Sequence, residues 1–495
     1  MTPDDQIASP SSERQASGWD VSNAPRNYAS LVALQIGSAL FSFAAVWLIT
    51  RHLGDEGYGG IVAMIAASQI AQVFVNWTGV AVVRFGVDEF IATGGITRTF
   101  WTRFIILAAN LILIAALSPL WFPTLAPWLK LEESSLWLIL AHFAVTAFWI
   151  HIQMSLQGVK LLRRQALLMM VERLLIFGGV FGLTWAAELR PVSAMICYIA
   201  APAMMALIGF FDLREFTFGK LNFDGAFVKK LLTYSLPLMP FALVGVFSSG
   251  YIDAVFVAGF LSKADLGVYG IATQINGIAL QFPTLANTLL LPLFLTLQNE
   301  SDEQRSANYF KNVLPTITLG WGLACTLASF AAYFAIPIVF GVPFTEAGSA
   351  LWILLTASAV GMPVAIGYSA LSNAASMTYV PMVAAILSAT TNVIANALLI
   401  PRYGIVGCAV ATLLAFFVSV AVFAILMRRG AKTPISWSFA AFAPCVVGTI
   451  SFILWQNAFV AVAVGIVAFL IVGLLFRRSL NSTLAFLKNF RLARR

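Results

Sequence analysis

Long apolar runs separated by short polar breaks are the dominant pattern of this 495-residue chain. The runs are continuous and do not alternate between polar and apolar residues, which indicates membrane-spanning helices and argues against an outer-membrane barrel. A spanning helix needs roughly 20 apolar residues. Fourteen spans are predicted on this basis, although the runs also allow twelve or thirteen, near 28–50, 60–82, 100–121, 136–157, 166–187, 192–211, 233–260, 267–296, 312–334, 350–371, 379–400, 404–427, 438–456 and 458–476.

The composition supports an all-α integral membrane protein. Apolar residues make up 60% of the chain and charged residues only 10%, whereas soluble domains usually carry about 25% charged residues. The four cysteines all fall inside apolar runs, where they are expected to pack as small core residues. They show no metal-ligand spacing.

Basic residues are distributed unequally between the two sets of predicted loops. With fourteen spans, the tails and the even-numbered loops hold most lysines and arginines, whereas the opposite loops hold only Arg51, Lys130, Arg190, Lys263 and Arg402. The positive-inside rule therefore predicts that both termini are cytoplasmic in a bacterial inner membrane. This bias, together with attraction to the membrane surface, explains the net charge of +8, so nucleic acid is not an expected partner.

The chain contains a short internal repeat. The segment Leu53–Gly59 follows the first predicted span, and the similar segment Leu261–Gly267 follows the seventh. The two segments are six spans apart, and an even number of spans gives both the same orientation in the membrane. This repeat predicts two parallel six-helix lobes that face each other across a central cleft. The predicted organisation is a disordered cytoplasmic tail (1–27), an N-lobe (28–211), a cytoplasmic linker (212–232), a C-lobe (233–427), a C-terminal helix pair (428–476) and a basic cytoplasmic tail (477–495).

Nothing in the sequence is typical of a catalytic domain. No predicted loop exceeds about 22 residues, which is too short to fold alone, and there is no Walker A motif for direct use of ATP. The histidines His52, His142 and His151 show no metal or triad pattern, and the last two are expected to be satisfied packing residues. We expect a transporter and not an enzyme, with no cofactor and no metal.

Charged residues inside predicted spans are the strongest candidates for function, because such groups are costly in hydrocarbon and usually face a cavity. Asp253 in span 7 and Glu172 in span 5 are candidates for binding a coupling ion, H⁺ or Na⁺. Packing by pairing with a neighbouring helix is the alternative for both. Glu172 and its neighbour Arg173 are not expected to pair well with each other, since adjacent helix positions point about 100° apart.

Three residues are candidates for the cavity and for an anionic head group. Arg173 and Arg84 carry guanidinium groups that suit phosphate oxygens, and Asn76 is one of several amides in or near spans. An interhelical salt bridge is the alternative for Arg173, and a membrane-surface anchor for Arg84. Pro237, Pro240 and Pro363 are candidate hinges, because proline kinks helices.

The segment Asn392–Thr412 joins two apolar runs through the polar break Pro401–Gly404. Pro401 ends a helix and Gly404 can adopt the positive φ of a reversal, which predicts a tight hairpin. The sequence of this segment resembles that of the polysaccharide flippase family of the multidrug/oligosaccharidyl-lipid/polysaccharide superfamily. Three other segments share the resemblance: Leu53–Gly60, Asn76–Phe85, and the stretch from Pro237 through Asp253 to Tyr269. We expect the hairpin itself to be structural and to perform no chemistry.

The resemblance implies two bundles that alternate between inward-open and outward-open states. They would move a polyprenyl-pyrophosphate-linked oligosaccharide from the cytoplasmic to the periplasmic leaflet, for exopolysaccharide, capsule or O-antigen assembly. Membrane lipid, H⁺ or Na⁺, and polysaccharide polymerase or export proteins are the partners it implies. Asn76 stands where the family often has an acidic residue. Alternatives are a lipid II flippase, a cation-coupled multidrug exporter, and a membrane polysaccharide polymerase or ligase, the last disfavoured by the short loops.

Overall fold

The computed structural model describes residues 24–219, 224–236, 250–299, 308–375, 377, 379–430, 437–477 and 479, and every regular element within them is helical. Nine of the described helices are long and apolar enough to cross a membrane, and two more, Tyr251–Phe260 and Ala443–Trp455, are apolar but shorter. Two of these nine helices fold back on themselves, and each of the two is long enough to cross a membrane twice. The count of fourteen spans stays a prediction.

We use the names N-lobe and C-lobe for the helices that fall in the two predicted lobes, and the N-lobe helices end at Asp212. They are α1 (Ala24–Asn76), α2 (Gly79–Thr93), α3 (Thr97–Ala116), α4 (Ser118–Trp128), α5 (Ser135–Gly158), α6 (Leu162–Trp185) and α7 (Pro191–Asp212). Helix α1 packs against α6 and α5, and α5 and α6 pack against α7. The region predicted as a linker contains two short helices, α8 (Arg214–Thr217) and α9 (Gly225–Ser235).

The C-lobe follows, with α10 (Tyr251–Phe260), α11 (Lys263–Asn299), α12 (Leu314–Val339), α13 (Glu346–Pro363), α14 (Ser369–Ala374) and α15 (Tyr379–Gly430). Helix α13 is its centre, because every residue from Ala350 to Pro363 is buried, and α13 packs against α11, α12 and α15. The C-terminal pair, α16 (Ala443–Trp455) and α17 (Ala458–Leu475), packs on α12. Asn457 caps α17 by accepting hydrogen bonds from the backbone N–H groups of Phe459 and Val460.

Helix α15 folds back on itself at Gly404, as the sequence predicts. Gly404 has φ 58° and ψ −143°, a conformation open to glycine. The side chains of Asn392 and Thr412 come within 3.5 Å, although a straight helix would separate twenty residues by about 30 Å. The predicted hairpin is therefore present.

Helix α1 folds back in the same way at Gly54, which has φ 69° and ψ −169°. Ser42 contacts Gln274 on α11, and Val62 lies beside Gly270, only one turn away on the same helix. Both contacts require the two arms of α1 to run side by side. The second arm ends at Asn76, which is earlier than the predicted boundary at 82 because the turn at Trp77 and Thr78 interrupts it.

The two copies of the sequence repeat meet where the lobes touch. A Cβ atom at Gly59 would overlap the carbonyl oxygen of Lys263, and a Cβ atom at Gly267 would overlap the carbonyl oxygen of Asp55. Each glycine thus contacts the residue that stands four positions before the other glycine. This reciprocal packing is what an approximate two-fold relation between the repeats would produce.

Other contacts join the lobes at the same end of the bundle. Trp128 at the end of α4 donates from Nε1 to the carbonyl of Val255 at 3.0 Å. Trp47 donates to the carbonyl of Val339, and Arg51 donates to the carbonyls of Ile338 and Val339 at the end of α12. The cleft between the lobes is therefore closed at the end that the charge pattern predicts to be periplasmic.

Candidate functional site

Asp253 occupies the first turn of α10, directly after Gly250. Gly250 has φ 77°, so the chain enters the helix through a conformation that glycine adopts without strain. This entry aims the side chain of Asp253 toward α15, and only 3% of the residue remains exposed. The sequence expectation of a deeply placed acid agrees with this geometry.

Three neutral side chains donate hydrogen bonds to the Asp253 carboxylate. Oδ1 accepts from Asn396 Nδ2 at 2.7 Å, and Oδ2 accepts from Thr412 Oγ1 at 2.7 Å and from the Tyr269 hydroxyl at 3.1 Å. Asn392 extends the network by accepting from Asn396 at 3.0 Å. We call Asp253 and these four residues the Asp253 cage. No described ion pair includes Asp253.

The hairpin supplies most of this cage. Asn392 and Asn396 lie on one arm of α15, and Thr412 lies on the other, so only the reversal at Gly404 brings all three to Asp253. The segment expected to be merely structural thus positions polar groups around the buried acid. Asn392 and Asn396 are thus two of the amides inside apolar runs that the fold brings to the buried acid.

The cage offers oxygen atoms suited to a hard monovalent cation or to a proton. A carboxylate, amide oxygens and a hydroxyl are hard oxygen ligands of the kind alkali and alkaline-earth ions prefer. The amide oxygen of Asn396 is buried and has no hydrogen-bond partner among the described residues, so it is available as a ligand. The described residues contain no cluster of three or more His, Cys, Asp or Glu side chains that would suit a transition metal.

The cage opens into one of three connected spaces along the lobe interface. The Asp253 pocket measures about 500 Å³, and a central cavity of about 400 Å³ lies between α1, α5 and α6 of the N-lobe and α10 and α11 of the C-lobe. An apolar groove of about 350 Å³ runs between α1 and α11, lined by residues such as Ile36, Leu40, Phe43 and Phe282.

Gln35 and Gln281 line all three spaces. Gln35 donates from Nε2 to Oε1 of Gln281 at 3.0 Å, and Gln274 donates to Ser42 at 2.9 Å one to two turns farther along the same interface. The glutamine pair therefore separates a polar interior from an apolar groove. Leu40 and Phe282 on the groove side are more than half exposed.

On the N-lobe side, Glu172 and Arg173 face the central cavity. Glu172 is buried and accepts a hydrogen bond from Trp149 Nε1 at 2.8 Å. Arg173 Nη2 lies 3.8 Å from Glu172 Oε1, which is longer than a hydrogen bond. The two charges are therefore close but weakly paired, as the roughly 100° offset of their positions predicts. Arg173 remains partly exposed to the cavity.

Arg84 and Asn76 lie apart from the central cavity. Arg84 is exposed, 3.8 Å from Asp88 on the next turn of α2, and lines a shallow basic depression with Lys229 and Lys230. Asn76 lies inside the N-lobe, where it donates to Gln72 and accepts from Arg103. Their proposed contact with a head group therefore stays a prediction for both residues.

The hinge candidates are only partly described. Pro237 and Pro240 lie outside the described residues. Pro363 ends α13 and is followed by a π-helical turn, Val364–Tyr368, which is the kind of local irregularity that accompanies a bend.

Sequence reasoning overlooked several polar residues that the fold brings to the site. Tyr269 and Thr412 lie in segments that resemble the family but have no predicted role, and the sequence predicts none for Gln35, Gln274 or Gln281. Their signal was a polar side chain inside an apolar run, which is weaker than that of a charge. His151 also differs from expectation, since neither ring nitrogen has a partner among the described residues, whereas His142 contacts Ser68 at 2.7 Å.

Comparison with known proteins places the chain in a family. Residues 25–298 match the family described as "Polysaccharide biosynthesis protein", a stretch that exceeds half of the 495-residue chain. The chain belongs to the polysaccharide biosynthesis protein family. The resemblance inferred from the sequence segments is thereby confirmed.

One curated relative is the "Probable low-salt glycan biosynthesis flippase Agl15" of Haloferax volcanii, which is 28% identical over 193 residues. The match covers 39% of this chain and 40% of the relative, so the chain spans about two fifths of the length of that protein. The likeness therefore covers part of each protein only.

Solved transporters share the fold over most of their length. A lipid II flippase MurJ in an inward closed conformation has a TM-score of 0.65 and 17% identity, covering 91% of this chain and 99% of its own. An inward-facing MATE-family multidrug resistance transporter of the MOP superfamily has a TM-score of 0.60 and 13% identity, covering 82% and 99%. At these identities the likeness shows the fold alone.

The predicted fold class is confirmed: this family member is an all-helical, multi-pass membrane protein with the fold of these transporters. The named relatives are flippases and transporters, in agreement with the expectation of a transporter and not an enzyme.

Proposed function

We propose that this protein is a flippase for a polyprenyl-pyrophosphate-linked oligosaccharide. The observation that carries the proposal is the junction at Gln35 and Gln281, where the polar central cavity and the apolar groove meet. A molecule with a polar head and a long apolar tail fits such a junction, since its head can lie in the polar cavity while its tail lies in the apolar groove. Family membership and the similarity to a glycan biosynthesis flippase support the same substrate class.

The proposed movement is from the cytoplasmic to the periplasmic leaflet of a bacterial inner membrane, by alternating access. The contacts Gly59–Lys263, Gly267–Asp55 and Trp128–Val255 close one end of the cleft and support an inward-facing state. With cytoplasmic termini, that closed end is periplasmic. The lobes predicted as 28–211 and 233–427 would rock against each other about this cleft.

The Asp253 cage is the proposed site for the coupling ion, H⁺ or Na⁺. A buried carboxylate without a cationic partner among the described residues gains from binding either ion, because the ion removes a net charge from the lobe. The cage borders the Asp253 pocket, which also reaches Gln35 and Gln281. The proposed ion site therefore lies close to the contacts between α1 and α11, and a rocking motion of the lobes must change these contacts. Glu172, which is bonded to Trp149, is the second candidate.

Arg173 is the proposed contact for the pyrophosphate, because it is the arginine that lines the central cavity among the described residues. The basic depression at Arg84, Lys229 and Lys230 would attract the same anion at the membrane surface before entry. Exopolysaccharide, capsule or O-antigen assembly is the proposed pathway, with the polymerase or export proteins as partners downstream.

Deletion of the gene tests this function in the cell. We expect surface polysaccharide to be lost while lipid-linked repeat units accumulate on the cytoplasmic leaflet, measured by accessibility to a glycosidase added to membranes of defined orientation. Restoration by the wild-type gene is the control. Normal polysaccharide combined with hypersensitivity to drugs would instead indicate an exporter, and blocked cell-wall synthesis with lipid II retained inside would indicate a lipid II flippase.

A further inference from the structure

Arg103 is a charged residue enclosed entirely within the N-lobe. It lies on α3 with 0% of its surface exposed. Its Nη2 donates to Asn76 Oδ1 at 2.8 Å, whereas Nε and Nη1 have no hydrogen-bond partner among the described residues. It takes part in none of the ion pairs between those residues. Because a guanidinium is always charged, burial without a counter-charge is costly.

Two further polar side chains near Arg103 are also unsatisfied. The ring of His151 packs 4.4 Å from Phe100 and 6.0 Å from Phe104, which flank Arg103 on the same helix, and neither ring nitrogen has a described partner. The hydroxyl of Thr78 is buried and unpartnered as well, and a Cβ atom on the adjacent Gly79 would lie 3.7 Å from Arg103 Nη2. Unused hydrogen-bonding groups on α3, on α5 and at the residue before α2 therefore belong to neighbouring parts of the same bundle.

The chemistry of these groups selects the ligand. The guanidinium, the hydroxyl and a ring N–H all donate hydrogen bonds, and their net charge is positive, so a cation is excluded. Water would satisfy the donors but would leave the charge unbalanced. Full burial of Arg103 and His151 leaves no path for a phosphate ester attached to a larger molecule. A small monovalent anion meets each of these conditions.

We propose that Arg103, Thr78 and His151 form an internal site for a small inorganic anion, with chloride as the ligand. The bound anion neutralises Arg103 and completes the packing between α2, α3 and α5. None of the three residues lines the central cavity, the Asp253 pocket or the apolar groove. The site is therefore a structural one, separate from the transport pathway.

Thermal unfolding of the purified full-length protein in matched chloride and gluconate salts tests the site. We expect the wild-type Tm to be lower in gluconate by about 2 °C or more, and bromide to restore it, because a ligand that binds only the folded state raises Tm. Asn76→Asp places a carboxylate where Oδ1 already lies 2.8 Å from Arg103. This variant should keep a high Tm in gluconate and lose its response to chloride.

Arg84→Met serves as the matched control, because it removes an exposed arginine near the same helices and should retain the wild-type response to chloride. Equal wild-type Tm values in the two salts would overturn the proposal. An unchanged chloride response in Asn76→Asp would also overturn it, since the anion would then bind elsewhere. The readout is stability, so it is independent of whether the protein proves to be a flippase.

Discussion

Asp253 in the C-lobe and Arg103 in the N-lobe are both deeply buried charged residues, and their surroundings differ. In the C-lobe, the carboxylate of Asp253 accepts three hydrogen bonds from Asn396, Thr412 and Tyr269. In the N-lobe, the guanidinium of Arg103 makes one described hydrogen bond, to Asn76, and leaves two nitrogens without a partner. The acid borders a pocket on the lobe interface, whereas the arginine is sealed inside its bundle.

This difference indicates that the Asp253 carboxylate can bind and release an ion, whereas the Arg103 guanidinium needs a permanent partner. A carboxylate held by neutral donors tolerates both an occupied and an empty state, which a coupling site requires. A sealed guanidinium with unused donors has no such freedom, since each unsatisfied buried donor costs about 1–3 kcal/mol. We therefore assign ion exchange to the C-lobe and a fixed anion to the N-lobe.

Removal of the charge at Asp253 should have the largest effect. Asp253→Asn keeps the size of the side chain but removes the carboxylate that would bind the ion, so gradient-driven transport should fall to the level of empty vesicles while the protein still inserts. Asp265→Asn is the matched control, because Asp265 is a half-buried carboxylate that accepts hydrogen bonds from Ser262 beside the same lobe interface. Full transport by Asp253→Asn would remove the cage from the mechanism.

Substitution at the reciprocal glycine contact tests whether the two lobes close against each other. In Gly59→Ala, the new Cβ overlaps the Lys263 carbonyl, which is backbone and cannot move aside cheaply. We expect the cleft to open on that side, so that a cysteine introduced at Ser42 in the central cavity reacts faster with a membrane-impermeant thiol reagent. Gly60→Ala is the control, since a Cβ there meets nothing within 4 Å. Equal reaction rates in the two variants would contradict the closed contact.

Arg173, which faces the central cavity, should contribute more to substrate affinity than Arg84 at the surface. Arg173→Met removes a guanidinium from the central cavity, and we expect it to weaken binding of the lipid-linked pyrophosphate by about 10- to 100-fold. Arg84→Met should weaken binding less, because Arg84 is exposed and screened by salt. Titration of both variants with the same lipid in detergent provides the measurement. A larger loss in Arg84→Met would reverse the assignment.

A single cage hydrogen bond should have the smallest effect of these changes. Thr412→Val removes the donor 2.7 Å from Asp253 while preserving side-chain shape. We expect the apparent affinity for the coupling ion to change by about tenfold, measured from the ion dependence of transport. Thr390→Val is the control, because that exposed hydroxyl bonds only to the Ile386 carbonyl within its own helix. Identical ion dependence in both variants would exclude Thr412 from the site.

The sequence was sufficient for the helical class and the hairpin at Gly404, because apolar run length and glycine chemistry are local properties. It also singled out Asp253 as a charge inside an apolar run, and the role of that residue stays a prediction. It was insufficient for the partners of Asp253. Thr412 lies 159 positions from Asp253 in the chain, so their contact depends on how α10 packs against the two arms of α15. The surroundings of Arg103 depend in the same way on tertiary packing. The spacing of residues along a helix does not determine which side chains from other helices reach its guanidinium group.

Transport of a lipid-linked glycan by the purified protein in vesicles tests the central claim most directly. A labelled polyprenyl-pyrophosphate oligosaccharide is placed in the outer leaflet, and its loss of accessibility to a membrane-impermeant enzyme is followed with and without an imposed H⁺ or Na⁺ gradient. We predict protein-dependent transfer that an ion gradient accelerates and that Asp253→Asn abolishes. Transfer no faster than in empty vesicles, with the folded protein present, would contradict the account.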